Sequence, residues 1–225
     1  MRHIMIGVAI AVALCASGVV AAKEDDGWIE LFNGKDLDNW EQKNGKATYK
    51  VEDGCIVGTS APKSPNSFLC TKEEFDDFIL EFEFKAHPKL NSGVQIRSKS
   101  LPNFMNGRVH GYQCELEQED QERDWSGGIY DEARRGWLYP DKDDKELCAK
   151  FGKQGRRLWK KGEWNKLRIE CKGDRIRTWL NGELRADLKD DMTSSGFIGL
   201  QVHGVGDKKE PMSVMWRNIR LKKLD

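Results

Sequence analysis

Polar and apolar residues alternate in three segments of this chain, Ser92–Ser98, Tyr112–Glu119 and Gly199–Gly204. A β-strand has a period of two, so successive side chains project from opposite faces. Each segment is therefore predicted to be a strand with one apolar face. If the three strands share a sheet, their polar faces form a candidate active site. Those faces carry Gln95 and Arg97, then Gln113, Glu115 and Glu117, then Gln201 and His203.

Short strand patterns separated by Gly, Asn, Asp or Pro also dominate the rest of the chain. Lys172–Asp174 and Asn181–Gly182 mark tight hairpin turns. The pattern predicts no long helix, although Asp143–Phe151 is compatible with about two turns. About twelve strands at short spacing predict an all-β antiparallel β-sandwich. The other predicted strands are Trp28–Phe32, Thr48–Glu52, Cys55–Thr59, Ser67–Thr71, Phe78–Ala86, Phe197–Val202 and Met212–Leu221.

One long segment, residues 120–162, breaks this pattern, because it is rich in Gly, charge and Trp and has no sustained period. Long irregular segments inside compact domains are usually functional loops. We therefore predict that it forms a rim beside the polar strands; a purely charged surface loop is the alternative. Its candidate ligand-binding residues are Tyr130, Arg134, Arg135 and Trp137.

The N-terminus has the pattern of a secretory signal, with Arg2 before the apolar run Ile4–Val20 and small residues up to Ala22. Cleavage after Ala22 would leave a single domain over residues 23–225, secreted or periplasmic and free of the membrane. A membrane anchor is the alternative, although about 17 apolar residues are at the lower limit for spanning a bilayer.

The composition argues against nucleic-acid and membrane-surface binding, because 37 Lys and Arg balance 37 Asp and Glu. Eight Trp are instead suited to stacking on sugar rings. Cys55 and Cys70 are a candidate disulfide in an oxidising compartment. The sequence requires no cofactor, but the oxygen ligands of Asp141–Asp144 are compatible with calcium; a solvated loop is the alternative.

Several motifs, in order along the chain, carry a family resemblance. Residues 28–40 read WIELFNGKDLDNW, residues 91–98 NSGVQIRS, residues 111–117 GYQCELE, residues 126–131 SGGIYD, and residues 196–204 GFIGLQVHG. Together they resemble the 3-keto-disaccharide hydrolase domain family over residues 27–224. The resemblance implies a concanavalin A-like jelly roll that acts on 3-keto-glycosides, with an oxidised glucoside or disaccharide as partner.

This implied activity has definite chemical needs. A ketone at C3 of a sugar acidifies the C2 proton, and the glycosidic oxygen on C1 can then leave by elimination. The site needs a base, an electrophile for the enolate oxygen and an acid for the leaving group. We take Glu115 or His203 as the candidate base and Arg97 as the enolate stabiliser. Glu117 or Tyr130 is the candidate acid.

The candidate residues also have structural readings. A buried carboxylate at Glu115 is costly unless it is paired, ligating or catalytic. The alternative role for Arg97 is purely structural, as the ion-pair partner of Glu115. Glu117 is alternatively a solvated residue at a strand end. The candidate substrate-binding residues are Gln95, Gln113, Gln201, Arg134, Arg135, Trp137 and His110.

Two other functions stay open. Glu115 and Glu117 have a spacing compatible with a conventional glucanase-like glycoside hydrolase. A non-catalytic lectin-like binding module would retain the aromatic rim but would need no such carboxylate pair.

Overall fold

The computed structural model describes residues 27–117 and 123–225. In these ranges two antiparallel β-sheets and one α-helix form a β-sandwich, which confirms the predicted fold class. The predicted signal peptide and the start of the domain at residue 23 lie outside the described residues. The strands are β1 (Trp28–Glu30), β2 (Trp40–Lys43), β3 (Thr48–Glu52), β4 (Cys55–Thr59), β5 (Ser67–Thr71), β6 (Phe78–Ala86), β7 (Ser92–Lys99), β8 (His110–Leu116), β9 (Ile129–Glu132), β10 (Gly136–Tyr139), β11 (Asn165–Lys172), β12 (Arg175–Leu180), β13 (Glu183–Lys189), β14 (Phe197–Val202) and β15 (Ser213–Lys223).

The eight-stranded sheet has the order β13-β12-β11-β6-β15-β4-β3, and β1 also pairs with β15. The seven-stranded sheet has the order β10-β9-β8-β7-β14-β5-β2. It contains β7, β8 and β14, so the three polar-faced strands do share one sheet. The pairing places Gln113 opposite both Gln95 on β7 and Tyr130 on β9.

The hydrophobic core lies between the two sheets. Strand β8 contributes Tyr112, Cys114 and Leu116, all fully buried, and Trp216 of β15 is buried in the other sheet. Burial of a large apolar side chain contributes about 1.5–3 kcal/mol. Because these residues anchor the inner face of β8, the alternate residues of that strand are directed to the outer face of the seven-stranded sheet.

The predicted Cys55–Cys70 disulfide is wrong, since both residues are free thiols. Cys55 belongs to the eight-stranded sheet and Cys70 to the seven-stranded sheet. Cys70 packs with Phe68, Val109 and Phe197 in a small apolar cluster separate from the main core. Burial raises the pKa of Cys70, so this thiol acts as an apolar packing group.

Helix α1 (Lys145–Leu158) is longer than the two turns predicted. It begins after Asp144, whose Oδ1 accepts a hydrogen bond from Leu147 N at 2.9 Å. Two glycines inside the helix reduce its intrinsic propensity, which obscures the pattern in the sequence. A Cβ at Gly155 would lie 2.1 Å from Asp124 O, so the helix needs these glycines to pack against the backbone of residues 123–124. In the described parts of the chain no helix is long and apolar enough to cross a membrane.

The buried side chain of Arg185 on β13 fastens this helix to the sandwich. It donates to Phe151 O at 2.9 Å and to Gln154 Oε1 at 2.7 Å on α1. It also donates to Ser126 O at 2.9 Å and Asp124 O at 3.2 Å. One guanidinium therefore holds both the helix and residues 124–126, which lead into β9.

We expect Arg185→Met to lower the free energy of unfolding by about 3–5 kcal/mol, because it leaves several buried acceptors without a donor. Chemical denaturation measures this change. Arg175→Met, which removes an exposed pair with Asp187, is the control and should cost about 1 kcal/mol or less. Equal losses in the two variants would contradict the anchoring role of Arg185.

Candidate active site

A cavity of 350 Å³ lies on the outer face of the seven-stranded sheet. Six of the predicted site residues line it: Gln113, Glu115, Tyr130, Trp137, Gln201 and His203. The five other lining residues were not predicted: Asn66, Asn91, Arg108, Arg123 and Glu132. The polar faces of β8, β9 and β14 thus meet in one cavity.

Glu115 is the buried carboxylate of this cavity and is only 4% exposed. Its Oε1 accepts a hydrogen bond from Asn91 Nδ2 at 2.6 Å, and its Oε2 accepts one from Gln113 Nε2 at 2.9 Å. Burial raises the pKa of Glu115 to about 7, although these two hydrogen bonds lower it and the nearby Glu117 raises it. A carboxyl group with this pKa can accept and release a proton near neutral pH.

A network of glutamines fixes the orientation of the Gln113 amide. Gln113 Oε1 accepts hydrogen bonds from Gln95 Nε2 at 2.6 Å and Gln201 Nε2 at 2.8 Å. With its oxygen occupied, Gln113 must present Nε2 to Glu115. Gly93 lies opposite Glu115 on β7, and a Cβ there would lie 2.5 Å from Gln113 Cδ. Gln95 is fully buried and does not line the cavity, so it acts on the site through its hydrogen bond to Gln113.

Glu117 does not line the cavity. Its carboxylate accepts hydrogen bonds from Arg123 and from Trp125 N, the latter at 2.6 Å, and it is 1% exposed. The alternative interpretation of Glu117 as a solvated residue at a strand end is therefore wrong, and its predicted role as the acid has no support from the cavity lining. The three donors direct Glu117 toward the segment that follows β8, so it orders this edge of the site.

Arg123 is a site residue that the sequence did not reveal. Its Nε lies 2.7 Å from Glu117 Oε1. Its guanidinium lies over the rings of Trp125 and Trp137, at 4.9 and 5.0 Å from their centroids. The ion pair and the two rings fix one cationic group at the wall of the cavity. No strand periodicity covers this position, so the sequence offered no signal for it.

Strand β9 supplies Tyr130 and Glu132 to the cavity. Burial, with Glu132 and Glu115 nearby, raises the pKa of Tyr130, so its phenol keeps its proton at neutral pH. Glu132 is 4% exposed and its Oε1 lies 3.1 Å from Arg108 Nη2. A period of two across residues 129–132 would have placed Glu132 beside Tyr130.

The predicted position of Arg97 on the outer face is wrong. A β-bulge interrupts the pairing between β7 and β8 after Ile96, and Arg97 has a φ of 47°. The side chain donates to Asp76 O at 2.6 Å, Asp77 Oδ1 at 2.6 Å and Gly173 O at 2.8 Å. Arg97 therefore ties the end of β7 to the eight-stranded sheet instead of pairing with Glu115.

Arg134, Arg135 and His110 also lie outside the cavity lining. The two arginines bind the buried Asp131, at 2.7 and 2.5 Å from its carboxylate oxygens. Asp131 pairs with Tyr112, which belongs to the core side of β8, so the arginines lie away from the site. The His110 ring packs on Phe104, with 4.0 Å between their centroids.

His203 immediately follows β14 and is exposed at the mouth of the cavity. Its Nδ1 lies 2.8 Å from Gly204 O, which leaves Nε2 as the ring nitrogen available to a ligand. Asn66 lies nearby and accepts a hydrogen bond from Gly204 N at 2.9 Å, which helps to position this corner.

The described residues contain no cluster of three or more His, Cys, Asp or Glu side chains that could hold a metal ion. In the Asp141–Asp144 run, Asp144 caps α1 and Asp141 Oδ1 accepts a hydrogen bond from Asp143 N at 3.0 Å. These carboxylates order the start of the helix, and calcium binding there stays a prediction.

A family profile, the 3-keto-alpha-glucoside-1,2-lyase-like domain, matches residues 27–222. The chain belongs to this family. The match covers both sheets and every residue that lines the cavity. No curated protein sequence matches the chain.

Solved structures confirm the jelly-roll architecture. A protein from Parabacteroides distasonis, provisionally assigned as a glycosyl hydrolase, is 21% identical with a TM-score of 0.59, covering 88% of this chain and 94% of the other. The carbohydrate-binding module CBM66 of Bacillus subtilis is 17% identical with a TM-score of 0.52, covering 82% and 96%. A β-1,3-1,4-glucanase from a mouse hindgut metagenome is 12% identical with a TM-score of 0.53, covering 88% and 98%. The fold is that of carbohydrate-active and carbohydrate-binding proteins.

The raised pKa of Glu115 links protonation to stability. The folded state holds this proton up to about pH 7, whereas the ordinary pKa is 4.5, so stability falls as pH rises between these values. We expect Glu115 to contribute a loss of about 3 kcal/mol over this interval. Denaturant unfolding of wild type and Glu115→Gln from pH 4 to pH 8 measures the difference. Parallel pH profiles would contradict the assignment.

Proposed function

We propose that this protein cleaves the glycosidic bond of 3-keto-glycosides by elimination followed by addition of water, with Glu115 as the base. The observation that carries the proposal is one buried carboxylate, with a pKa near neutrality, directed into a cavity that also presents two arginines and a phenol. The family match and the carbohydrate-type fold support the same substrate class. We also propose secretion or periplasmic export, from the N-terminal sequence pattern alone.

The proposed reaction begins with transfer of the C2 proton of the sugar to Glu115. The electrons of the C2–H bond form the enolate with the C3 ketone, and then the C1–O bond breaks as the C1–C2 double bond forms. The leaving oxygen takes a proton, which gives the free aglycone or second sugar. Water then adds across the double bond, and its proton and hydroxyl restore C2–H and place the new hydroxyl on C1.

Arg123 and Arg108 take the enolate-stabilising role that was predicted for Arg97. Both line the cavity, and each is held by a carboxylate, Glu117 or Glu132 respectively. A fixed cation at the enolate oxygen stabilises charge where it develops. Tyr130 or His203 is the proton donor to the leaving group, because both line the cavity and the Tyr130 phenol is kept protonated.

The hydrogen bonds that already occupy the Glu117 carboxylate favour elimination over conventional glycoside hydrolysis. The conventional mechanism needs two carboxyl groups that flank the scissile bond. Glu117 is occupied by Arg123 and by the backbone of Trp125, and Glu132 is paired with Arg108. Elimination needs one carboxylate base and an electrophile, which Glu115 and the arginines supply.

The test compares a chromogenic 3-keto-glucoside with the matching unoxidised glucoside, using wild type and Glu115→Gln. We expect release only from the keto compound and a loss of at least about 100-fold in kcat for the variant, because general base catalysis contributes about 10²–10⁴-fold. Release from the unoxidised glucoside alone would establish a conventional glycosidase. Binding of both compounds without release would establish a carbohydrate-binding module.

The pH dependence tests Glu115 as the base. We expect kcat/KM to rise with pH through an apparent pKa near 7, because the base must lose its proton. Gln113→Met removes a hydrogen bond that favours the carboxylate and should move this rise to higher pH by about one unit. The control is Gln42→Met on β2, where the amide donates to Ala47 O at 2.8 Å, away from the cavity. An unchanged profile in Gln113→Met would refute the coupling.

A further inference from the structure

A second cavity of 540 Å³ adjoins the candidate active site. It shares Asn66, Arg108 and His203 with the first cavity and extends away from Glu115 across the outer face of the sheet. Its volume is in the range of ordinary ligand sites. The remaining lining residues are Asn44, Gly45, Pro65, Phe68 and Met105. A ligand whose reacting ring contacts Glu115 therefore has a continuous path into this second cavity past Arg108 and His203.

Phe68 lies at the floor of the second cavity, where it is 1% exposed, and Pro65 and Met105 add exposed apolar surface. Phe68 pairs with Gln201 across β5 and β14 and so lies on the same outer face as the polar site. It packs with Cys70, Val109 and Phe197 in the separate small cluster described above. The outer face of the sheet is thus divided into a polar region around Glu115 and an apolar region around Phe68.

The rim of the second cavity contains Met105, an apolar side chain that is 59% exposed. Met105 and Asn106 have φ values of 44° and 56°, in the left-handed region that non-glycine residues rarely adopt. Asn44 holds this loop, because its Nδ2 donates to Gly107 O at 3.1 Å and its Oδ1 accepts from Val109 N at 2.7 Å. Backbone strain of this kind is typical of ligand-binding sites.

Several polar groups of the second cavity are occupied within the protein. Both side-chain polar atoms of Asn44 bind the loop. The Asn66 oxygen accepts from Gly204 N at 2.9 Å, and Arg108 pairs with Glu132 at 3.1 Å. A second sugar ring brings several hydroxyls that lose hydrogen bonds to water when they enter an apolar cavity. An aromatic ring has no hydroxyls to desolvate and gains contact with the exposed apolar residues Pro65 and Met105.

We propose that this second cavity is a leaving-group site that selects apolar aromatic aglycones over a second sugar. The inference rests on the proposed function and specifies its substrate class as aryl or arylalkyl 3-keto-glucosides. The sugar occupies the first cavity, the glycosidic oxygen lies near the proton donor His203, and the aromatic ring lies over Phe68 against Pro65 and Met105. After Glu115 takes the C2 proton, the C1–O bond breaks, the leaving oxygen takes a proton from Tyr130 or His203, and the neutral phenol or alcohol departs through the second cavity.

The first test compares benzyl 3-keto-glucoside with a 3-keto-disaccharide whose second glucose is attached through its anomeric oxygen. Benzyl alcohol is a weaker acid than the anomeric hydroxyl of glucose, so leaving-group chemistry alone favours the disaccharide. We expect the benzyl compound to have at least tenfold higher kcat/KM, mainly through a lower KM. A higher kcat/KM for the disaccharide would overturn the proposal.

Two matched variants test whether the preference for the benzyl compound arises at the rim of the second cavity. Met105→Gln keeps the length of the side chain at the rim but removes its apolar surface, and we expect KM for the benzyl compound to rise about fivefold to tenfold with kcat unchanged. Leu101→Gln changes a 47%-exposed residue of the same segment that does not line the cavity, so KM should not change. Equal KM values for Met105→Gln and wild type would refute the role of Met105.

Binding without reaction separates this proposal from the proposed function. Saturation-transfer NMR with 2-naphthol should detect binding to wild type and to Leu101→Gln, and a severalfold weaker signal with Met105→Gln. If 2-naphthol binds in this way while no keto-glycoside is cleaved, the proposed function fails and the aromatic site stands. If keto-glycosides are cleaved but 2-naphthol does not bind, the aromatic site fails and the proposed function stands.

Discussion

The burial of the Glu115 carboxylate is the constraint on which the site depends. A buried charge is costly unless hydrogen bonds compensate it, and the donors here are Asn91 and Gln113. Gln113 in turn keeps its orientation because Gln95 and Gln201 occupy its oxygen. Residues from three adjacent strands and one loop are therefore needed to maintain a single carboxylate with a pKa near 7.

The same strand serves the core and the site, and the period of two keeps these roles apart. Tyr112, Cys114 and Leu116 are fixed between the sheets, so Gln113 and Glu115 cannot rotate to the other face without exposing that apolar surface. The core thus sets the register of the polar network. This coupling explains how a sandwich can hold a precise group of polar residues on its outer face.

The segment that follows β8 also stabilises the cavity, because it positions the cationic wall. Arg185 holds α1 and the backbone at Asp124 and Ser126, and this segment carries Arg123 onto Trp137 and Glu117. The cationic wall of the cavity is therefore built by a chain of contacts that begins at an edge strand of the other sheet. The functional region and the packing of the helix are parts of one arrangement.

The sequence by itself determined the sandwich and the position of Glu115 on the face opposite Cys114 and Leu116, because strand periodicity and turn residues are local signals. Tertiary structure decided the rest. The Arg97 side chain points away from the site because a β-bulge and a positive φ redirect it. Glu117 is outside the cavity lining because its carboxylate pairs with Arg123. Helix α1 is stable in the fold because Gly152 and Gly155 allow close backbone packing. Helix propensity alone counts these glycines as unfavourable, because it does not include tertiary contacts. Local patterns assign a residue to a face, but only packing determines which partner it meets there.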